Sequence, residues 1–357
     1  MPPSVSPTIE PYVLRPGENR DLPALKQLLT TVIGGLTTLP NEDSFLETKL
    51  QQSEASFAQK VKAPGAEQYF FVLEDARTRE LVGTSGIMAR VGGFDPFYSY
   101  QVRREKISHA PLQIEKEMRV LHLKMSHKGP SEICSLFLHP KMRASGLGRL
   151  LSLGRFLFMA AFPERFDSEV IAELRGFLDQ HNRSPFWDSV GRHFFQDDFH
   201  AADVLSGLGE KDFIRDLMPR HPIYIPLLPT EVQAVIGRVH VDTEPAKRML
   251  LEEGFVETDE VDIFDAGPLV RAKRERIRTI RTRKLTKLRA LHPKPPPGSQ
   301  RALIASATLA FRSCIGMVRV NADGSVDLDA ATARRLKLAE GDDVQFLPMV
   351  VGRKAKS

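Results

Sequence analysis

Hydrophobic residues near the start of the chain follow two spacings, one typical of strands and one typical of helices. A short apolar stretch at residues 12–14 precedes Leu22, Leu25, Leu28 and Leu29, which fall on one face of a helix. A strand that leads into an amphipathic helix is typical of the first unit of an α/β domain.

The pattern continues through the next hundred residues. A second helix is predicted for residues 43–58, with Asn41 as its N-cap. The stretches "QYFFVLED" and "LVGTSGIMARVG" predict two antiparallel strands joined through "ARTRE". The run "SEICSLFLHP" stops at Pro140 and predicts a central strand that is buried on both faces. Residues 148–162 are apolar around the whole helix circumference, as expected for a helix enclosed by protein.

Two later segments share one plan. A strand at "EVIAELRG" precedes a helix that Ser184 caps and Gly191 ends. In "HVDTEPAKRMLLEEGF" a helix runs from the cap Thr243 to Gly254, before a strand at "VDIFDAGP". The similarity suggests a duplicated unit.

Charge is concentrated in one part of the chain. The 357 residues have a net charge of +5, yet residues 271–289 contain ten Lys or Arg and one Glu. We expect a helix or extended arm there, then a proline-rich linker at "HPKPPPGSQ" and a small β-rich module at residues 300–357. The basic segment also permits a different class of function, nucleic-acid binding, although no aromatic residues are interleaved with its cations.

Composition excludes several other classes. Cys134 and Cys314 are far apart and fit no disulfide framework or zinc motif, and the histidines lack metal-ligand spacing, so no metal is expected. No apolar run approaches the length of a membrane span, and the amino terminus lacks the pattern of a signal peptide. We therefore expect a cytoplasmic protein without a membrane partner.

A glycine-containing loop stands between the predicted central strand and the apolar helix. Its sequence, "RASGLG" at residues 143–148, would point backbone N–H groups at an anion, most simply a phosphate or pyrophosphate. A P-loop would need Lys followed by Ser or Thr, and a dinucleotide loop would need glycine where Leu151 stands. The remaining pattern, [RQ]xxGx[GA] with Arg143, Gly146 and Gly148, resembles the loop with which GNAT acyltransferases hold the pyrophosphate of coenzyme A.

Longer motifs narrow the resemblance. Read in order, "GGLTTLPNE", "GTSGI", "DPFYSY", "SEICSLFLHP", "LGRFLFMAAFPERF", "AELRG", "SPFWDSVGRHFF", "LMPRHPIY", "VIGRVH" and "VDIFDAGP" resemble the arginine N-succinyltransferase family from about residue 12 to 350. The resemblance implies transfer of succinyl from succinyl-CoA to the α-amine of L-arginine, with ornithine as an open alternative. It also implies assembly with identical or homologous subunits.

The resemblance further implies an α+β or α/β GNAT-like acyl-CoA N-acyltransferase fold, a mixed central sheet flanked by helices, with a small β-rich C-terminal module. We expect a flexible terminus at 1–10, an acyl-CoA-binding domain at 11–200, a second, substrate or catalytic portion at 201–268, the basic segment and linker at 269–299, and the module at 300–357. The coenzyme A site is predicted at Leu136, Phe137, Leu138, Arg143, Ala144, Ser145, Gly146, Leu147 and Gly148.

Acyl transfer to an amine also needs a proton donor for the departing thiolate. Many GNAT enzymes use a tyrosine that corresponds here to Trp187, whose indole cannot exchange a proton at useful pH. The family motif "VIGxVH" implies His240 instead; by itself, a lone histidine at a strand end is more often structural.

We interpret Cys134 as a packed thiol, so that the amine attacks the thioester directly. Polar groups that could bind the substrate charges are Thr37, Asn41, Glu42, Glu173 and Arg175. An acyltransferase with another donor or small amine is the alternative within this fold.

Overall fold

One mixed sheet runs through the molecule. The computed structural model describes residues 11–32, 39–93, 95–143, 145–195 and 212–349. The strands are β1 (Tyr12–Pro16), β2 (Gln68–Asp75), β3 (Leu81–Met88), β4 (Phe97–His109), β5 (Ile114–Ser126), β6 (Ser131–Leu138), β7 (Glu169–Glu173), β8 (Ile223–Tyr224), β9 (Val256–Val261), β10 (Pro268–Lys273), β11 (Lys284–His292), β12 (Gln300–Ser306), β13 (Ser313–Val320), β14 (Val326–Asp329) and β15 (Asp343–Pro348). Their order is β12-β15-β11-β14-β13-β1-β2-β3-β6-β7-β10-β9-β4-β5-β8.

Helices cover both faces of this sheet. In chain order they are α1 (Leu22–Leu29), α2 (Asp43–Ala58), α3 (Leu147–Ala161), α4 (Pro185–Ser189), α5 (Asp212–Leu217), α6 (Thr230–Gln233), α7 (Glu244–Glu252), α8 (Arg278–Thr282) and α9 (Ala330–Leu336). The predicted mixed sheet flanked by helices is confirmed, as are α1, α2 and the β2–β3 hairpin. None of these helices, within the part of the chain that is described, is both long and apolar enough to cross a bilayer.

Helix α3 fills the main core. Nearly every residue from Leu147 to Ala160 is buried, which agrees with the apolar circumference seen in the sequence. Gly154 allows this close packing, because a Cβ there would lie 2.3 Å from Cδ2 of Leu14 on β1. Helices α1 and α2 cover the other face around Phe70 and Phe137. The central strands are therefore enclosed between two helical layers.

The basic segment differs from the expected helix or arm. Its residues are divided between β10, α8 and β11, and the proline-rich stretch is the connection from β11 to β12. The β-rich module therefore begins near Lys284 in the structure, since β11 pairs with β14 and β15. Pairing of β12 with both β15 and β13 closes the five strands into a small barrel.

Two further details differ from the sequence prediction. The long hairpin of β4 and β5 has no counterpart among the elements predicted from the sequence. The strand predicted at "VDIFDAGP" lies earlier, at Val256–Val261, and the chain turns before β10. The turn depends on Asp262, whose carboxylate accepts the N–H groups of Phe264 and Asp265 at 2.7 and 2.8 Å.

One buried carboxylate organises the barrel. The Asp327 side chain is fully buried and accepts hydrogen bonds from Arg289, Arg319, Asn321 and His292. Although burial raises the pKa of Asp327, these hydrogen bonds outweigh the effect and hold it far below the usual range. The carboxylate therefore contributes stability while it is ionised.

We predict that Asp327→Asn lowers the free energy of unfolding at neutral pH by about 2 kcal/mol, because charged hydrogen bonds are lost at a buried site. Because the folded-state pKa is depressed, this contribution is present above about pH 3.9 and is lost as the pH falls below it. Circular dichroism melts of both proteins at pH 7 and pH 3 measure the difference. Asp343→Asn, which removes an exposed partner of Lys287 at 2.9 Å, is the control and should change stability little. Equal stability of Asp327→Asn and the original protein at pH 7 would contradict the prediction.

Candidate functional site

The two central strands β6 and β7 separate along their length. They are parallel, and their register consists of Ser131 opposite Val170 and Glu132 opposite Ile171. Beyond Glu132 the second half of β6 has no pairing with β7, although β7 continues to pair with β10. An open edge of backbone N–H and C=O groups therefore faces a gap between the two strands.

A bulge changes the direction of β6 at this gap. Gly86 of β3 pairs with Cys134, but Thr84 pairs with Phe137, so β6 contains one extra residue between these pairs. Ser135 has a φ of 51°, and its carbonyl accepts a hydrogen bond of 2.8 Å from Thr84 Oγ1. Since a bulge leaves one residue out of the ladder, this part of β6 has backbone groups available to a ligand. The predicted residues Leu136 and Leu138 follow directly and pack partly against the α3 side of the core.

The glycine loop forms the start of α3 at the same end of β6. Gly146 occupies the N-cap position with a φ of 87° and has no side chain to cap the helix. Ser145 Oγ accepts the Leu147 N–H at 3.3 Å, and the Gly146 carbonyl accepts the Arg149 N–H at 3.1 Å. The Gly148 N–H between them is the first-turn donor for an outside acceptor. A Cβ placed on Gly148 would meet only Leu138 Cδ2, at 4.0 Å, so the space above this turn is open. Lys141 and Arg143 are exposed beside it.

These features fit a diphosphate. The helix start supplies the Gly148 N–H and a partial positive charge, and the two basic side chains add full charges. Ser145 is half-buried and hydrogen-bonds back to the Met142 carbonyl, while Leu147 is buried in the core. Ala144 lies outside the described residues.

His240 lies across the gap from this loop. Its N–H donates to the Arg175 carbonyl at 2.8 Å, which places it beyond the end of β7. Its Nδ1 accepts the Asp242 N–H at 3.2 Å, so a neutral ring bonded in this way carries its proton on Nε2. Asp242 also pairs with Arg143 at 3.3 Å. The structure thus brings His240 and the glycine loop together.

The predicted substrate residues are more scattered. Glu173 ends β7 and lies near the gap, and Arg175 Nε is 3.7 Å from the buried Asp265 carboxylate. Asn41 and Glu42 are exposed before α2, where Glu42 takes the N-cap position that we assigned to Asn41. Thr37 lies outside the described residues. Among the candidates that the structure describes, Arg175 contacts His240 through its carbonyl, and Glu173 lies two residues before Arg175.

Cys134 is unsuited to carry an acyl group. Burial raises the pKa of its thiol to about 11, so the thiol stays protonated at neutral pH. Trp187 is buried in a separate core, stacked on Phe195 with ring centroids 5.2 Å apart. Both observations agree with direct attack by the amine and with a proton donor other than Trp187.

Sequence reasoning missed two cations close to the bulge. Lys49 of α2 and Arg155 of α3 both interact electrostatically with Cys134. The signal for Arg155 was present, because it is a charge inside the otherwise apolar run "LLSLGRFLFMAAF". Lys49 belongs to a helix with many polar residues and carries no comparable signal.

Much of the basic segment is bound to the protein itself. Arg271 pairs with Glu169 at 2.8 Å and Glu260 at 3.0 Å, and Arg289 pairs with Asp327. The Arg283 guanidinium donates to the Ala160 carbonyl at 2.6 Å. These contacts give the cations structural roles, and nucleic-acid binding is not favoured. Among the described residues, no group of three or more His, Cys, Asp or Glu is arranged to hold a metal ion.

Comparisons with known proteins agree with this geometry. The family model described as arginine N-succinyltransferase beta subunit matches residues 12–279, and the model of its C-terminal domain matches residues 284–348. Two proteins named arginine N-succinyltransferase, from Salmonella schwarzengrund and Salmonella agona, are each 39% identical over 343 residues, covering 96% of this chain and 99% of theirs. The solved structure of arginine/ornithine succinyltransferase subunit AI from Pseudomonas aeruginosa superposes with a TM-score of 0.86 at 34% identity, covering 95% of this chain and 99% of that one.

We predict that Gly148→Val raises the dissociation constant for coenzyme A at least about tenfold, because the new side chain fills the space above the helix start. Isothermal titration with coenzyme A measures the change. The melting temperature should change little, since no described atom lies closer than 4.0 Å to the new Cβ. Gly65→Val, in the loop before β2, is the control. Unchanged affinity in the Gly148 variant would remove this loop as the diphosphate site.

Proposed function

Because the chain belongs to the arginine N-succinyltransferase beta subunit family, we propose that it transfers the succinyl group of succinyl-CoA to the α-amine of L-arginine. One observation carries the proposal: the open edge of β6, the glycine-containing start of α3 and His240 meet at a single gap. Such a gap accommodates an extended thioester with its diphosphate at one end.

The residues of β6 and α3 bind different parts of succinyl-CoA. The Gly148 N–H in the first α3 turn, with Arg143, binds the diphosphate, and Gly148 leaves room for it. The free edge of β6 from Leu136 to Leu138 binds the pantetheine amides in the manner of an added strand. When bound, the thioester supplies an activated acyl carbon. A backbone N–H at the bulge donates to the carbonyl oxygen, which gains negative charge during the reaction.

His240 acts on the leaving group. The Asp242 N–H occupies Nδ1, so Nε2–H points away from this contact and donates a hydrogen bond to the departing sulfur. The α-amine attacks in its neutral form. As the C–N bond forms and the C–S bond breaks, the proton that the amine nitrogen loses passes to the thiolate, and no acyl group is carried by the protein. Cys134 remains a thiol because burial raises its pKa.

The amine substrate carries charges of both signs. We assign Glu173 and Arg175 to these charges, because both lie at the end of β7 beside His240. The Pseudomonas relative is described as acting on arginine or ornithine, so ornithine is the second amine to test.

Assembly with another subunit, in the cytoplasm, completes the proposal. The outer half of the β4–β5 hairpin projects from the body, and Ile107, Leu112 and Ile114 at its tip are 43%, 66% and 48% exposed. Exposed apolar side chains grouped in this way mark an interaction surface.

We predict that His240→Ala lowers kcat by at least about 100-fold with little change in the KM for succinyl-CoA, because the hydrogen bond to the departing sulfur is lost while the binding groups remain. Thiol release from succinyl-CoA with arginine measures both constants. His109→Ala is the matched control, since His109 also accepts a backbone N–H through Nδ1, at 3.3 Å, but lies on the distant hairpin. If no amine supports thiol release by the original protein, the proposed activity is wrong; unaltered kcat in His240→Ala would remove only the role of His240.

A further inference from the structure

A lysine of α2 lies over the sheet directly beside the bulge. Phe70, Gly86 and Cys134 are side by side on adjacent strands. Because Gly86 has no side chain, it leaves space between the side chains of Phe70 and Cys134. A side chain on Gly86 would come within 3.2 Å of Cys134 Sγ. Lys49 uses this space, with its Nζ 5.9 Å from the Phe70 ring centroid and 5.4 Å from that of Phe45.

No carboxylate neutralises Lys49 by direct contact. Within the described residues, no carboxylate oxygen lies within 4.0 Å of its Nζ, and its electrostatic interactions are with Cys134 and the more distant Glu132. Burial lowers the pKa of Lys49, although part of the side chain keeps contact with solvent. Such a charge is normally held by an anion, because desolvation without a partner is costly.

A second cation approaches the same strand from the opposite side. Arg155 of α3 is 1% exposed, and among the described residues its guanidinium bonds to its own helix alone, to the Ser152 carbonyl at 3.3 Å and to Ser152 Oγ at 3.2 Å. It also interacts electrostatically with Cys134. Both cations therefore act on one short piece of β6, where the buried Glu132 supplies an opposing negative charge. In the described part of the chain, neither cation has a carboxylate oxygen in contact.

The acyl group of the proposed reaction carries the matching charge. In the proposed function the thioester carbonyl lies at the bulge, immediately after Cys134, and the free carboxylate of a succinyl group is two methylene groups further on. We propose that Lys49 binds this free carboxylate, and that Arg155 strengthens the attraction from the other side of β6. The pair is a specificity determinant that selects a dicarboxylic acyl group over an uncharged one of the same length.

This inference rests on the proposed function, and butyryl-CoA separates the two. Butyryl has the same chain length as succinyl with a methyl group in place of the carboxylate. Thiol release with arginine gives kcat/KM for both donors in the original protein, in Lys49→Met and in Lys49→Arg. We expect Lys49→Met to lower kcat/KM for succinyl-CoA by about 10- to 100-fold, the range of one charged hydrogen bond. The value for butyryl-CoA should stay the same or rise, and Lys49→Arg should recover most of the preference for succinyl.

Lys60→Met, an exposed lysine just beyond α2, is the matched control and should leave the ratio of the two donors unchanged. Melting temperatures of all variants verify the fold, and Lys49→Met should not be destabilised because it removes a desolvated charge. An unchanged donor ratio in Lys49→Met, or an equal loss with both donors, would overturn the role of Lys49. Absence of thiol release by the original protein with either donor would instead overturn the proposed function on which this role depends.

Discussion

The functional geometry depends on a break in strand pairing. After two residue pairs, β6 and β7 part, and the bulge at Ser135 turns the remaining half of β6 out of the regular ladder. Leaving backbone groups unpaired inside a protein costs free energy unless a partner replaces the missing strand. Here the cost is tolerated because the rest of the sheet is enclosed by two helical layers. The gap is held open by the fold and does not depend on a flexible loop.

The sequence predicted the strand, loop and helix at this gap better than the elements around them. The apolar run that stops at Pro140, the two glycines and the apolar helix each have one simple interpretation, and the structure places them as expected. The open edge itself could not be predicted, because a strand that is buried but unpaired has the same composition as one that is paired. The contact between the glycine loop and the segment of His240 was also not predictable, since Arg143 and Asp242 are far apart in the chain and meet only in the fold.

The partners of the charged side chains were the least predictable feature of the molecule. The dense basic segment suggested a separate function, yet many of its cations bind carboxylates or carbonyls of the same chain, as Arg271 and Arg283 show. Lys49 is half-buried and Arg155 is buried, and in the described part of the chain neither has a carboxylate in contact. Desolvation explains the contrast, because the effect of a buried charge depends on its neighbours in space. Counting charges along a sequence therefore identifies charged segments. Coordinates are needed to find the cations that have no carboxylate in contact.

The position of β1 has a consequence for the order in which the molecule is assembled. This strand lies between β2 and β13, so one of its edges is satisfied by a neighbouring hairpin and the other by a residue near the end of the chain, where Leu14 pairs with Ser313. Roughly 300 residues separate these partners. At about 5 to 20 residues per second, synthesis of that length takes roughly 15 to 60 s. During this time the nascent protein presents an uncovered strand edge, and the barrel closes it only after β13 has been synthesised.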